Sequence, residues 1–245
     1  MRTPLESRSD RQGQRSQQRR RAPCAALLWV LALPGCAPAP QAGPAKPADS
    51  DAPRPDSAAD PAQSRALLGR LAPDFELRDH LGQRRRLSDF RGRPVVLEWF
   101  DRACPFVHKW YQSGQLPALQ RKYTGAGVAW LTIHSNAPGS PGAFSAEQAP
   151  EVFRELGLAS SALLLDPDGR VARRFAANST LHCCVIDPSG RWVYSGAIDD
   201  RPTLDPADIP TAKNHVAVDL DALLTAKPVE PHRTSPYGTP LELAK

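Results

Sequence analysis

Beyond its first thirty-five residues the chain lacks any excess of charge. The net charge is +5 over 245 residues, but the opening stretch alone holds seven arginines against Glu6 and Asp10, which leaves the remainder neutral. Binding to nucleic acid without regard to sequence needs a basic face, so a nucleic-acid partner is excluded for the body of the protein. Also missing is an apolar run of the roughly 20 residues that span a bilayer. The run from Ala25 to Leu33 is far shorter. It follows Arg19-Arg20-Arg21 and precedes Leu33-Pro34-Gly35-Cys36, which is the layout of an export signal. No internal repeat is present. From Ala37 to about Ser64 large apolar side chains are almost absent, so this stretch cannot bury enough surface to offset ordering and reads as a tether.

Cysteine is scarce as well, with five in the chain. Cys24 falls in the signal and should be absent from the mature protein. Cys36 ends a Leu-Pro-Gly-Cys run that resembles the lipobox of bacterial lipoproteins, which implies lipid attachment, a membrane anchor through that lipid and a periplasm-facing location. The expected organisation is a signal over 1–35, a tether over 36–66, one α/β domain over 67–228 and a tail over 229–245. The domain is long enough to bury its own core.

Cys104 stands where Val95-Val96-Leu97-Glu98-Trp99-Phe100, a run with the composition of a strand covered on both faces, gives way to Pro105, which suits a first helical turn. The amide groups and dipole of that turn favour an anion, so the thiol is a candidate nucleophile. Glu98, pointing away from Leu97 and Trp99, is a buried acid and either a proton acceptor or a structural acid paired with an arginine. His108 falls one turn after Cys104 and could favour the thiolate. Adjacent strand residues face opposite sides, so Cys183 or Cys184, not both, can look towards Cys104. Cys183 is the candidate resolving thiol, against the reading of the pair as two small buried residues. His182, Cys183, Cys104 and His108 together would form a soft site for Cu(I) or Zn(II).

Elsewhere the pattern predicts a helix from Pro105 that breaks at Ser113-Gly114 and restarts at Pro117. A strand comes next over 128–134, and a helix opened by Ser145-Ala146-Glu147-Gln148 runs to Leu156. Strands at 162–165 and 171–175 should flank Asp166-Pro167-Asp168-Gly169. A hairpin is predicted around Asp187-Pro188-Ser189-Gly190, and a closing helix over 214–226 with an apolar face of Val216, Val218, Leu220, Leu223 and Leu224. Asp199-Asp200 reads as a solvated turn. Alternating strands and helices predict a mixed sheet flanked on both sides.

Ala72-Pro73-Asp74-Phe75-Glu76-Leu77, Gly82, Leu87-Ser88-Asp89-Phe90-Arg91-Gly92 and the Val95 strand resemble the opening of the thioredoxin-like redoxins of the alkyl hydroperoxide reductase/thiol-specific antioxidant group. An exported bacterial subfamily is suggested by Cys104-Pro105-Phe106-Val107, Gly127 to Ile133, Leu165 to Gly169 and Gly196 to Asp200. The resemblance implies a thioredoxin-like fold and thiol-disulfide or antioxidant chemistry with no cofactor. A disulfide protein or small oxidant would be the substrate, and an outside thiol could be the reductant. It also implies an active-site loop of Pro105, Phe106, Val107, Thr180, Leu181 and His182. Three departures set this chain apart. Val107 replaces the second cysteine of the usual pair, Leu181 replaces a proline, and Thr239 stands where relatives carry a tail cysteine. The residues ahead of Cys104 lack the family's peroxide-holding pattern, which argues against a dedicated peroxidase. The competing reading is a non-catalytic scaffold or a copper- or zinc-binding module.

Overall fold

A computed structural model describes residues 66–245. The signal, Cys36 and nearly all of the tether lie outside the described residues. The chain builds β1 (Glu76–Asp79), β2 (Arg84–Arg86), a 3₁₀ turn (Leu87–Phe90), β3 (Val95–Trp99), α1 (Pro105–Gln112) and α2 (Gln115–Gly125). After these come β4 (Ala129–His134), α3 (Ala149–Glu155), β5 (Ala162–Leu165), α4 (Arg170–Arg174), β6 (His182–Ile186), β7 (Trp192–Ala197), a second 3₁₀ turn (Pro206–Thr211), α5 (His215–Leu224) and β8 (His232–Arg233).

The strands form one sheet in the order β2-β1-β5-β4-β3-β6-β7-β8. β3, β4 and β5 are mutually parallel, while β6 runs antiparallel to β3. This is a thioredoxin-like α/β fold with a mixed sheet. An apolar core lies on each face. One gathers Val96, Phe100, Cys104, Val107, Leu116, Trp130 and Cys183 under α1, α2 and α5. The other gathers Val95, Leu97, Trp99, Phe175, Cys184 and Trp192. Because side chains alternate along a strand, Cys183 and Cys184 enter different cores.

The helix break at Ser113-Gly114 is made by Gly114 in the left-handed region (φ 72°), a conformation glycine adopts without steric cost. α2 restarts at once, at Gln115, two residues before Pro117. Gln148 reaches back to accept from the Ser145 amide (2.9 Å), half of a capping box.

Two expectations are corrected. The predicted strand over 171–175 is instead helix α4 (Arg170–Arg174) with Phe175 as its C-cap. The edge of β5 that such a strand would pair with is already taken by β1. The Asp166 carboxylate accepts the amides of Val171 (3.1 Å) and Ala172 (3.0 Å) instead, and so winds the chain into a turn. On α5 the buried stripe is narrower than predicted. Val216 and Leu220 are buried and Leu223 packs against that core, but Val218 is 51% and Leu224 39% exposed.

Candidate active site

The three parallel strands all end on one side of the sheet, where open α/β sheets generally place their chemistry. Cys104 lies just beyond the end of β3, as the extended residue that caps α1 (φ −76°, ψ 124°) with Pro105 next. The turn ahead of it is tied down from within. The Asp101 carboxylate accepts from the Ala103 amide (2.8 Å) and from Asn136 Nδ2 (2.9 Å), and the Cys104 amide donates to Asp101 O (3.1 Å).

Antiparallel pairing of β6 with β3 returns the 178–181 loop to this same end. Leu181 N–H donates to Trp99 O (2.8 Å), and Thr180 Oγ1 lies 2.9 Å from Cys104 Sγ. Leu181 is fully buried with φ at 54°, a conformation that costs a branched residue about 1–3 kcal/mol.

Register sets Cys183 directly opposite Glu98. Glu98 is wholly buried and has no arginine partner, unlike the structural alternative raised by the sequence. It accepts from Trp130 Nε1 (2.6 Å), Gln120 Nε2 (3.0 Å) and the Tyr111 hydroxyl (2.9 Å). Burial raises its pKa above the ordinary carboxyl value despite these donors. The Cys183 thiol is likewise held well above its ordinary range, by burial first and by the Glu98 charge second. Cys104, Cys183 and Cys184 are all free, buried thiols. Cys183 shares a core with Cys104. Cys184 lies in the other core, with its thiol pushed above its ordinary range by burial.

The other sequence candidates fall around this centre. His108 Nε2–H donates to the Arg102 carbonyl and so holds the turn before Cys104. Phe106 packs on Tyr237 with ring centres 5.4 Å apart, and Val107 is core. His182 meets Ser195 Oγ (3.0 Å) and the edge of Trp99, both on the sheet face away from Cys104. The four-residue soft metal set is therefore not assembled, because strand alternation parts His182 from Cys183. Among the described residues no group of three or more His, Cys, Asp or Glu side chains is arranged to hold a metal ion. Asp199 corrects the solvated-turn expectation. It is 1% exposed and accepts from the Tyr237 hydroxyl and the Arg201 amide (3.1 Å).

The part played by the tail has no counterpart among the sequence expectations. Residues 237–241 lie along the 178–180 loop. Thr180 N–H donates to Thr239 O (2.9 Å), Thr239 N–H to Thr180 Oγ1 (3.0 Å) and Leu241 N–H to Asn178 O (3.0 Å). The hydroxyl that touches the nucleophile is therefore itself held by the tail. With it in place Cys104 is 0% exposed.

The sequence profile of the AhpC/TSA family matches residues 68–195, more than half the chain. The chain belongs to the AhpC/TSA family. Two solved structures are similar over nearly their whole length. One is a hypothetical protein from Sinorhizobium meliloti 1021, at 26% identity and a TM-score of 0.61, covering 72% of this chain and 94% of that one. The other is an uncharacterized conserved protein from Geobacillus kaustophilus, at 28% identity and a TM-score of 0.61, covering 72% and 92%. Among curated proteins none matches the chain. At the β3–α1 junction this chain places the thiol of Cys104, with Val107 three residues on in the first turn of α1.

Proposed function

We propose that this AhpC/TSA member is a thiol-disulfide oxidoreductase of the bacterial cell envelope, working through Cys104. The observation that carries the reading is the junction itself. A free thiol caps α1 with a hydroxyl 2.9 Å from its sulfur, and a second free thiol, Cys183, lies in the same core.

In the reaction, Cys104 thiolate attacks one sulfur of a substrate disulfide, forms a mixed disulfide and expels the other sulfur as thiolate. A second thiol then attacks Cys104 Sγ and releases the substrate as a dithiol, two electrons having passed to it. Where that thiol is Cys183, the proton it gives up goes to Glu98 opposite, and the protein is left with a Cys104–Cys183 bond for an outside dithiol to reduce. Where it is an outside monothiol, Cys104 acts alone and an adduct on it is the resting oxidised form. The Leu33-Pro34-Gly35-Cys36 run supports export and lipid anchoring at Cys36, in a compartment where disulfides persist.

The test is reduction of a disulfide-bearing polypeptide by the dithiothreitol-recycled protein. Cys104→Ser should abolish turnover. Turnover that survives in Cys104→Ser overturns the reading, as does wild-type protein recovered with Cys36 unmodified for the anchor.

A further inference from the structure

Cys104 is fully buried, and the chain's own tail holds the loop whose hydroxyl touches it. The segment after β8 is extended, and residues 237–241 pair with the 178–180 loop as an added strand would. Besides the three hydrogen bonds already described, Ser179 and Pro240 form an antiparallel bridge. At one end Tyr237 meets the Phe106 ring edge-on and gives its hydroxyl to buried Asp199. At the other, Ala137 N–H donates to Glu242 O (2.7 Å) and Glu242 N–H to Asn136 Oδ1 (3.3 Å). Asn136 is the same residue that steadies Asp101, so the tail touches both loops that frame the thiol.

Between these anchors the fit is close. A Cβ placed on Gly238 would collide with the carbonyl and hydroxyl oxygens of Thr180, and Gly238 has φ at +136°, a conformation side chains rarely adopt. Only glycine lets the tail backbone come down onto Thr180. Lifting the tail would leave Asn178 O and Thr180 N–H, on the loop whose Thr180 hydroxyl touches the sulfur, without these partners. Such a pair of backbone groups is satisfied by an extended peptide laid alongside.

We propose that residues 237–241 are an autoinhibitory strap seated on a peptide-docking edge, so that an extended segment of a partner polypeptide reaches Cys104 by displacing it. This deepens the redox reading by naming a polypeptide rather than a small oxidant as the class the edge selects, and it rests on that reading only for the chemistry after docking.

Its test needs no turnover. Iodoacetamide labelling of Cys104, read by mass spectrometry, is compared in the full chain, in Gly238→Ala and in Tyr237→Phe, which removes only the hydroxyl on Asp199. Both variants should label faster. Gly238→Ala should gain about tenfold, as expected when the closed state loses one or two net hydrogen bonds. Amide exchange at Thr180 and Leu241 should quicken, while Leu131 and Val185 in the central strands stay protected and show the fold intact. Millimolar synthetic peptide of residues 235–243, in the range of effective concentration a tethered tail enjoys, should restore protection to Gly238→Ala, and a scrambled peptide should not. Unchanged labelling in both variants overturns the strap. Faster labelling that the peptide fails to slow overturns the docking edge. Faster labelling together with failure to reduce disulfides counts against the oxidoreductase reading and leaves the strap standing.

Discussion

Glu98 and Cys183 face each other across β3 and β6, each without exposed surface. Burial makes both resist ionisation, and the Glu98 charge adds to the resistance of the thiol. Negative charge on the carboxylate discourages the thiolate, and a thiolate would discourage the carboxylate. The two groups therefore resist being ionised together, so the proton leaving Cys183 as it attacks is best placed on the carboxylate opposite.

Glu98→Gln should stabilise the protein at neutral pH. The amide oxygen can take the Trp130 and Gln120 donors while its nitrogen donates to the Tyr111 oxygen. The folded carboxyl binds its proton more tightly than the unfolded one does. Its contribution is thus fully present below the ordinary carboxyl value and is lost as pH rises from there through the raised folded one. Urea unfolding from pH 4 to 8 should show the variant gaining about 1–3 kcal/mol at the alkaline end, with a flatter profile. Turnover that relies on Cys183 should fall by about 10²-fold. Identical pH profiles would refute the assignment.

Mild oxidation and then non-reducing peptide mapping should yield a Cys104–Cys183 link that Cys183→Ser removes and Cys184→Ser leaves intact. A bond needs Cα atoms within about 7 Å and Cβ directions that converge. Cys184 points into the opposite core and cannot converge on Cys104 without unpairing β6, so a Cys104–Cys184 peptide would contradict the register of β6 against β3.

Leu181→Pro should destabilise this chain by about 3 kcal/mol or more. Proline has no N–H for Trp99 O and fixes φ near −65° against the observed 54°. Thermal unfolding measures the loss. A variant as stable as the parent would mean that the loop adopts another conformation at no cost.

Acid should weaken the fold between about pH 6.5 and 4. Burial lowers the pKa of His134 and of His182 to about 4. Both imidazoles are therefore neutral in the fold, and stability complete above the ordinary value of 6.5 is lost as pH falls through that window, by up to about 3 kcal/mol each. Asp166 and Asp219, each raised to about 6, act with the opposite sign, so the comparison is by variant. His182→Gln should flatten the acid limb of the urea-unfolding profile, and an unaltered limb would remove His182 from the account.

What was legible in the chain was what is written locally. The Val95 run and Pro105 announce a strand and a helix start within a few residues of each other, and period-two alternation alone assigns Cys183 and Cys184 to opposite faces. The 171–175 segment misled because Val171, Ala172 and Phe175 fit a helix stripe as well as a short apolar strand. The choice fell to Asp166, whose carboxylate caps the turn, and to β1, which occupies the neighbouring edge. Nothing local could announce the tail. Thr239 meets Thr180 across 59 positions of sequence, through a backbone N–H that every residue except proline possesses.

Complete enclosure of Cys104 also bears on how long the thiol survives. Exposed, acidic thiols climb readily to sulfinic and sulfonic acids, the last of which is irreversible. A sulfur with no surface meets peroxide only in the moments when its cover opens. In an oxidising compartment the closed protein would keep its nucleophile in working order between encounters, at the cost of a slower first contact. Irreversible over-oxidation of Cys104 should consequently scale with the open population as well as with the concentration of oxidant.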